Sequence, residues 1–424
     1  SSGGNARCQH PRRVIRPPIQ QWEVAFVVTQ AGAWRVGVAG ALVVMAGLGF
    51  GRFSYTMLLP ATRQGLELSY TSAGVLGTAN LLGYLFGSFV SGALSRRIES
   101  QTTIGSGLLL LALSLGWMGG ATGLIDAAAA RSLAGIAGAM IYVQALGLVP
   151  LWFPGKKRGL ASGIMHSGNG AGLVLTGLGL PFVLKTAPDY GWRAGWDALA
   201  LATLAIVPFG WIYCRAPASE KGTRDALPRS RPARPNFVEP VQRMSLAAYG
   251  GLYGLFGLSY IVYATFFAEA LRSRGLPIFQ TGLVWALVGT LSLASGPVWG
   301  LLSDRIGRLG GLAAVFGVQA IAYLAFLAPT AWSWTLSGVL FGGTAWGIPA
   351  IMAATMGDVG HGWEAGAAFG RVTTVMGIGQ AVGPVAAGVV ADITGTPSSG
   401  LWVSVGAAVT GGLWSFCVRG SRPS

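Results

Sequence analysis

Arg52 is the only formally charged residue between Val36 and Pro60, a run of hydrocarbon length that closes on "GFGRFSYTMLLP". A guanidinium at the centre of a bilayer costs roughly 2.5–3.5 kcal/mol on insertion scales, so such charges face a cavity or a partner. Tyr55 and Thr56 follow three and four residues later, on the same face of a helix. A fixed positive fork framed by hydroxyls is chemistry suited to a carboxylate or a phosphate. The alternative is a structural arginine bonded to carbonyls at a helix break, or one that snorkels outward past Pro60. No acidic residue at similar depth is available to neutralise it.

Other polar residues interrupt the apolar runs and extend the set of candidates. Asn80 and Tyr84 lie four apart, as Arg52 and Thr56 do, and Tyr260, Tyr263, Gln144, Asn169 and Gln380 are similarly embedded. Each alone is the kind of group that holds helices together; as a set they are candidates for lining a solute cavity. His166 shares a helical face with Asn169 and is the side chain whose charge changes most easily near neutral pH. With Arg131 and Glu269 it makes up the candidate proton-coupling groups. Arg131 reads equally as an interfacial anchor paired with Asp126, and Glu269 as an interfacial acid paired with Arg272.

The elements that position these residues follow from composition. The chain is 52% hydrophobic and only 10% charged, with a mean hydropathy of +0.57, whereas soluble domains carry about 25% charged residues. Uncharged runs such as Ser72–Ser95, Ser132–Gly155 and Gly275–Ser303 exceed the roughly 20 residues that cross a bilayer. The stretch from Leu309 to Gly357 divides near Pro329. Twelve spans are expected: 36–59, 70–94, 102–124, 128–151, 160–184, 195–213, 245–269, 278–302, 310–328, 332–355, 365–390 and 398–417. Glycines spaced by four, Gly83/Gly87 and Gly168/Gly172, are a close-packing device.

A net charge of +15 suggests nucleic acid in a soluble protein, but its placement here argues for topology. With the N-terminus inside, Arg12, Arg13, Arg96, Arg97, Lys156, Lys157 and Arg158 are cytoplasmic, and the external loops hold only Arg63, Lys185, Arg193, Arg272 and Arg274. This is the positive-inside bias, with both termini cytoplasmic and no nucleic-acid partner. Cys8, Cys214 and Cys417 are scattered, without metal or disulfide spacing.

Cys214–Met244 is the one long polar insert, rich in Pro and Arg, and reads as a linker. It divides the chain into a mobile tail (1–33), six spans (34–213), the linker (214–244), six more spans (245–418) and a short C-terminal tail (419–424). The halves repeat. "GALSRR" (Gly92–Arg97) matches "GLLSDR" (Gly300–Arg305) at an offset of 208 residues, which also pairs Tyr55 with Tyr263 and Arg52 with Tyr260. The spacing of Gly159, Gly168 and Gly172 recurs in Gly370, Gly379 and Gly383. Internal repeats across a central linker are a transporter feature.

"GLLSDRIGRLGG", Gly300–Gly311, fits the loop signature G-x-x-x-D-R-x-G-R, and on this motif and the repeat the chain resembles the major facilitator superfamily from the first span to the twelfth. The first-half copy departs from the signature, with Arg96 in place of the acid and Glu99 in place of the glycine. "RSLAGIAG", Arg131–Gly138, resembles the R-x-x-x-G motif of proton-coupled members, and "GRFSYTMLLP" resembles the YbfB/YjiJ-type bacterial branch. The resemblance implies an all-α fold of two pseudo-symmetric six-helix bundles around a cavity that opens alternately to each side. It gives Gly300, Asp304, Arg305 and Arg308 the expected role of a conformational latch; the plainer reading is topology-setting charge. Gly370, Gly379, Gly383 and Pro384 resemble the antiporter motif, but on the eleventh span rather than the fifth, where Leu173 stands in the proline position.

The expectation is a secondary carrier for a small anionic organic solute, with protons as candidate coupling ion, monomeric in a bacterial inner membrane, without cofactor or metal. Drug or metabolite efflux is the alternative; cation exporters generally need an embedded carboxylate, and none is convincingly deep. An integral membrane enzyme lacks support from the three scattered histidines, and no phosphate loop for ATP-driven transport occurs.

Overall fold

A backbone in hydrocarbon must satisfy its N–H and C=O groups within its own segment, so each apolar run of sufficient length becomes a helix. The computed structural model describes residues 30–95, 97–153, 158–186, 191–217, 244–359 and 363–420. Among them are twelve membrane-length helices: α1 (Gly32–Gly65), α2 (Tyr70–Leu94), α3 (Ser100–Gly120), α4 (Leu124–Trp152), α5 (Gly159–Thr186), α6 (Trp192–Tyr213), α7 (Leu246–Ser273), α8 (Ile278–Ile306), α9 (Arg308–Leu327), α10 (Ala331–Asp358), α11 (Ala365–Thr394) and α12 (Ser399–Val418). Most of the terminal tails and of the linker, together with Arg96, Lys156 and Lys157, lie outside the described residues. The largest departure from expectation is α1, which runs through Pro60 to Gly65 and so carries Arg63 on its last turn. One end of the helical array, the near face, holds the α2–α3 and α8–α9 turns; the opposite end, the far face, holds the α1–α2 and α7–α8 turns.

The helices form two six-helix bundles. In the first, α2 packs on α4, α3 on α4 and α6, and α1 on α5; in the second, α7 packs on α11 and α12, α9 on α10 and α12, and α8 on α10. The bundles meet chiefly along α5–α8 and α2–α11. The glycine pairs make these approaches possible. A Cβ on Gly168 would lie 1.9 Å from the carbonyl oxygen of Ala41 on α1, and one on Gly83 would lie 2.1 Å from that of Ser132 on α4. The repeated glycine does the equivalent in the second bundle, where a Cβ on Gly379 of α11 would lie 2.2 Å from the Gly254 oxygen of α7. Gly168→Val therefore forces backbone against backbone and costs about 3 kcal/mol. The expected readout is a lowered Tm of the purified protein, with Gly179→Ala, where a Cβ meets nothing within 4 Å, as the silent control.

The signature loop turns on Gly307, whose φ of 85° lies in the left-handed region open to glycine. Its counterpart Glu99 is an extended residue at the start of α3 (φ −64°), so the first half makes the same turn by a different backbone path.

Candidate functional site

The site begins with a change in the winding of α1. Over Met45–Phe53 the helix takes the wider π form, and the amide of Ser54 reaches back five residues to the Gly49 carbonyl. Such segments are rare and occur often at functional sites. The Gly51 carbonyl in this stretch is met from outside: Arg131 Nη1 donates to it at 2.9 Å and Asn80 Nδ2 at 3.3 Å. Asn80 also donates to the Arg131 carbonyl at 3.0 Å, and Tyr55 donates to Ala73 O at 2.8 Å. The Arg131 guanidinium, 2% exposed, lies 4.6 Å over the Tyr55 ring and 5.7 Å over that of Trp196. Residues of α1, α2, α4 and α6 are thus clamped around the irregular turn, and Arg131 is part of the clamp.

Arg52 projects from this turn toward the interface between the bundles. Its guanidinium carbon lies 4.3 Å from the Tyr84 ring centroid, and it sits beside the Tyr260 hydroxyl of α7. Nε and Nη2 of Arg52 are buried and have no hydrogen-bond partner. Those two groups form one edge of the guanidinium, the edge that takes both oxygens of a carboxylate. Gln380 Nε2 donates to the Tyr260 hydroxyl at 2.8 Å.

Aromatic rings close the near side. Tyr142 and His166 Nδ1 are hydrogen-bonded at 3.1 Å. Trp346 of α10 meets His166 at 5.5 Å, Phe53 at 6.1 Å and Tyr260 at 6.3 Å between ring centroids. Phe256 stacks on Tyr260 at 4.8 Å. One turn beyond His166 on α5, Asn169 is fully buried with both amide atoms unpartnered. On the far side of Arg52, a cavity lined by Tyr55, Thr56, Asn80, Arg131 and Thr265 has room for little more than a single water molecule.

Of the residues singled out from sequence, Arg52, Tyr84, His166, Tyr260 and Gln380 come together at this centre, with Asn169 a turn away. Tyr55, Asn80 and Arg131 hold the irregular turn, and Thr56 donates across to Ala264 O of the second bundle at 2.6 Å. Two lie elsewhere. Gln144 ties α4 to Ser91 of α2, at 2.9 Å to its carbonyl. Tyr263 bonds Ser337 at 2.8 Å inside the second bundle, among Phe267, Tyr323, Phe326 and Phe341.

Arg131 is not paired with Asp126, which accepts from Trp117 Nε1 at 2.5 Å and the Thr122 amide at 3.0 Å. Glu269 is not paired with Arg272, which donates to Leu276 O; it accepts from Arg63 Nε of the first bundle at 2.9 Å. Arg308 binds Asp304, the Ser303 hydroxyl at 2.9 Å and Asp358 at 2.7 Å, all within the second bundle. Gly300 borders open space and Arg305 is exposed. In this state the signature residues tie the α8–α9 turn to the end of α10 rather than joining the bundles.

Four residues escaped the sequence reading. Trp346 had a signal, since tryptophan is a residue of membrane interfaces and this one lies mid-run between glycines. Tyr142 follows Arg131 by eleven residues, about three helical turns, and so shares its face. Arg63 and Asp392 act on the far face. The Asp392 carboxylate of α11 accepts the Tyr70 and Thr71 amides at 2.8 Å each, capping the start of α2. With Arg63–Glu269, with Thr78 bonded to Ala381 O at 2.6 Å, and with Gly74 against the Pro384 carbonyl, it closes that face.

Several solved structures share this architecture. They include a bacterial homologue of the human lysosomal transporter Spinster, inward-facing and occupied, with a TM-score of 0.74 at 15% identity over 91% of this chain and 96% of that one. A mutant of the nucleoside transporter NupG follows at 0.70 and 12% over 91% and 99%. The fold is that of a major facilitator transporter, a multi-pass membrane protein. Within that class, residues 44–415 match the family described as "Uncharacterised MFS-type transporter YbfB", and the chain belongs to it.

Curated relatives include human monocarboxylate transporter 11, 28% identical over 83% of this chain and 72% of that protein. The hexuronate transporter of Bacillus subtilis (strain 168) is 22% identical over 88% and 91%. The probable sulfoacetate transporter SauU of Cupriavidus necator is 25% identical over 87% and 90%.

Proposed function

We propose that this chain is a secondary carrier that moves a small organic anion by alternating access, with Arg52 as the residue that holds the anion. The observation that carries the reading is the buried, unpartnered Nε–Nη2 edge of the Arg52 guanidinium at the meeting of the two bundles. Burying such an edge unpaired is costly; an anion supplies what it lacks. Hexuronate, sulfoacetate and monocarboxylate, the solutes named for the three relatives above, are all anions. The moving units are the bundles 34–213 and 245–418, joined by the linker 214–244. The state described is the one with the far gate shut by Arg63–Glu269 and Asp392. The near face is cytoplasmic, as the distribution of Lys and Arg argues, in a bacterial inner membrane, and the carrier works as a monomer.

Uptake by proteoliposomes of a panel of organic acids and amines, with and without a pH gradient, tests the reading; transport of amines but of no acid overturns it. Proton coupling is assigned to His166, with Arg131 and Glu269 as the other candidate groups. His166→Gln keeps the contact with Tyr142 while removing the titrating ring. It is expected to flatten the pH dependence of uptake, and a pH profile equal to the parent's rules His166 out as the carrier.

A further inference from the structure

We propose that the solute is a monocarboxylate with a flat, apolar body: its carboxylate on the free edge of Arg52, its body among the rings of Tyr84, Tyr142, Tyr260 and Trp346. This rests on the anion-carrier reading and narrows it. The head follows from geometry. Nε and Nη2 present two roughly parallel N–H groups, both buried and unpartnered, a match for the two oxygens of a planar carboxylate. Beyond Arg52, the cavity toward Arg131 has room for little more than a single water, too little for a second charged arm.

The count of anionic groups follows from what the neighbouring cation does. Arg131 is engaged elsewhere: its Nη1 donates to the Gly51 carbonyl, and its guanidinium lies over the faces of Tyr55 and Trp196. Arg52 is the guanidinium beside the Tyr84 ring and the Tyr260 hydroxyl, whereas Arg131 lines the water-sized cavity. A dicarboxylate would have to bury its second charge among rings, which is unfavourable without a partner.

The body follows from the rings. Trp346 lies at 5.5–6.3 Å from His166, Phe53 and Tyr260, and Phe256 stacks behind Tyr260. Two of the three tyrosine hydroxyls in this group are engaged, Tyr260 with Gln380 and Tyr142 with His166. A sugar acid would bring several hydroxyls to a wall with few free partners, and sites discriminate strongly against unsatisfied polar groups. A planar apolar body stacks instead.

The test is equilibrium binding to the purified full chain, which avoids passive leakage of weak acids through liposomes. The probes are phenylacetate, succinate, glucuronate and phenethylamine. Phenylacetate is expected to bind at least about 10-fold more tightly than succinate or glucuronate. Trp346→Ala weakens phenylacetate about 10-fold while changing propionate less than about 2-fold; Trp346→Tyr, which keeps a ring, stays close to the parent. Binding of succinate or glucuronate as tight as that of phenylacetate overturns the narrowing and leaves the anion carrier standing. Equal losses of phenylacetate and propionate in Trp346→Ala overturn it as well. Binding of phenethylamine alone, or of no acid, overturns both.

Discussion

Arg52→Ala lowers proteoliposome uptake of an organic anion about 100-fold, because truncating one side of a buried, hydrogen-bonded charge pair costs about 2–5 kcal/mol. Arg52→Lys keeps the charge without the planar fork and remains about 10-fold or more below the parent. The stability change separates this role from a structural one. Nε and Nη2 have no hydrogen-bond partner, and the guanidinium's neighbours are the Tyr84 ring and the Tyr260 hydroxyl. Arg52→Ala therefore leaves no carbonyl unpaired, and Tm in the absence of solute stays close to the parent's. A structural arginine bonded to carbonyls would instead lower Tm in Arg52→Ala. Uptake that survives both substitutions removes Arg52 from the site.

Arg63→Gln opens the far face. Glu269 is 3% exposed, and its Oε2 is already without a partner, so Arg63 is what keeps the carboxylate tolerable there. Removing one member of a buried ion pair costs about 3–5 kcal/mol. That moves the balance between closed and open far gates by a factor on the order of 100 or more toward open. Spin labels at Glu67, on the α1–α2 turn, and Phe279, at the start of α8, report the distance across the gate in a background with its cysteines replaced. The distribution lengthens in Arg63→Gln and returns in the swapped pair Arg63→Glu with Glu269→Arg. An unchanged distribution in the single variant means that Asp392 and the helix contacts suffice to hold the gate.

The fold was legible from sequence because hydrocarbon leaves so few options: span lengths, the sparse charges and the 208-residue repeat all report on it. The site was legible where polarity broke an apolar run, as at Arg52, Tyr84, Tyr260 and Gln380. It was opaque where a functional residue looks like core, as at Tyr142 and Trp346, and where partners are distant, since Arg63 and Glu269 are 206 residues apart. The repeat both helped and misled. The offset that pairs Arg52 with Tyr260 brings those two side by side between the bundles. The same offset pairs Tyr55 with Tyr263, and each of these hydroxyls bonds within its own bundle. Equivalence by symmetry therefore says that two side chains have like surroundings, and leaves open whether those surroundings are the axis or the core.

Nothing local in "MAGLGFGRF" announced the wide turn of α1. Wound on five-residue bonds, this stretch holds slack that the ordinary helix would not. Shifting the wide turn along the helix would rotate the residues it passes by about 100°, since 3.6 residues complete an α-helical turn. Arg52, at the end of the stretch, would swing off the axis while the rest of α1 kept its packing. Arg131 and Asn80, by holding the Gly51 carbonyl, would oppose such a shift. The aim of Arg52, the proposed anion-binding residue, thus depends on a second arginine that need never touch the solute.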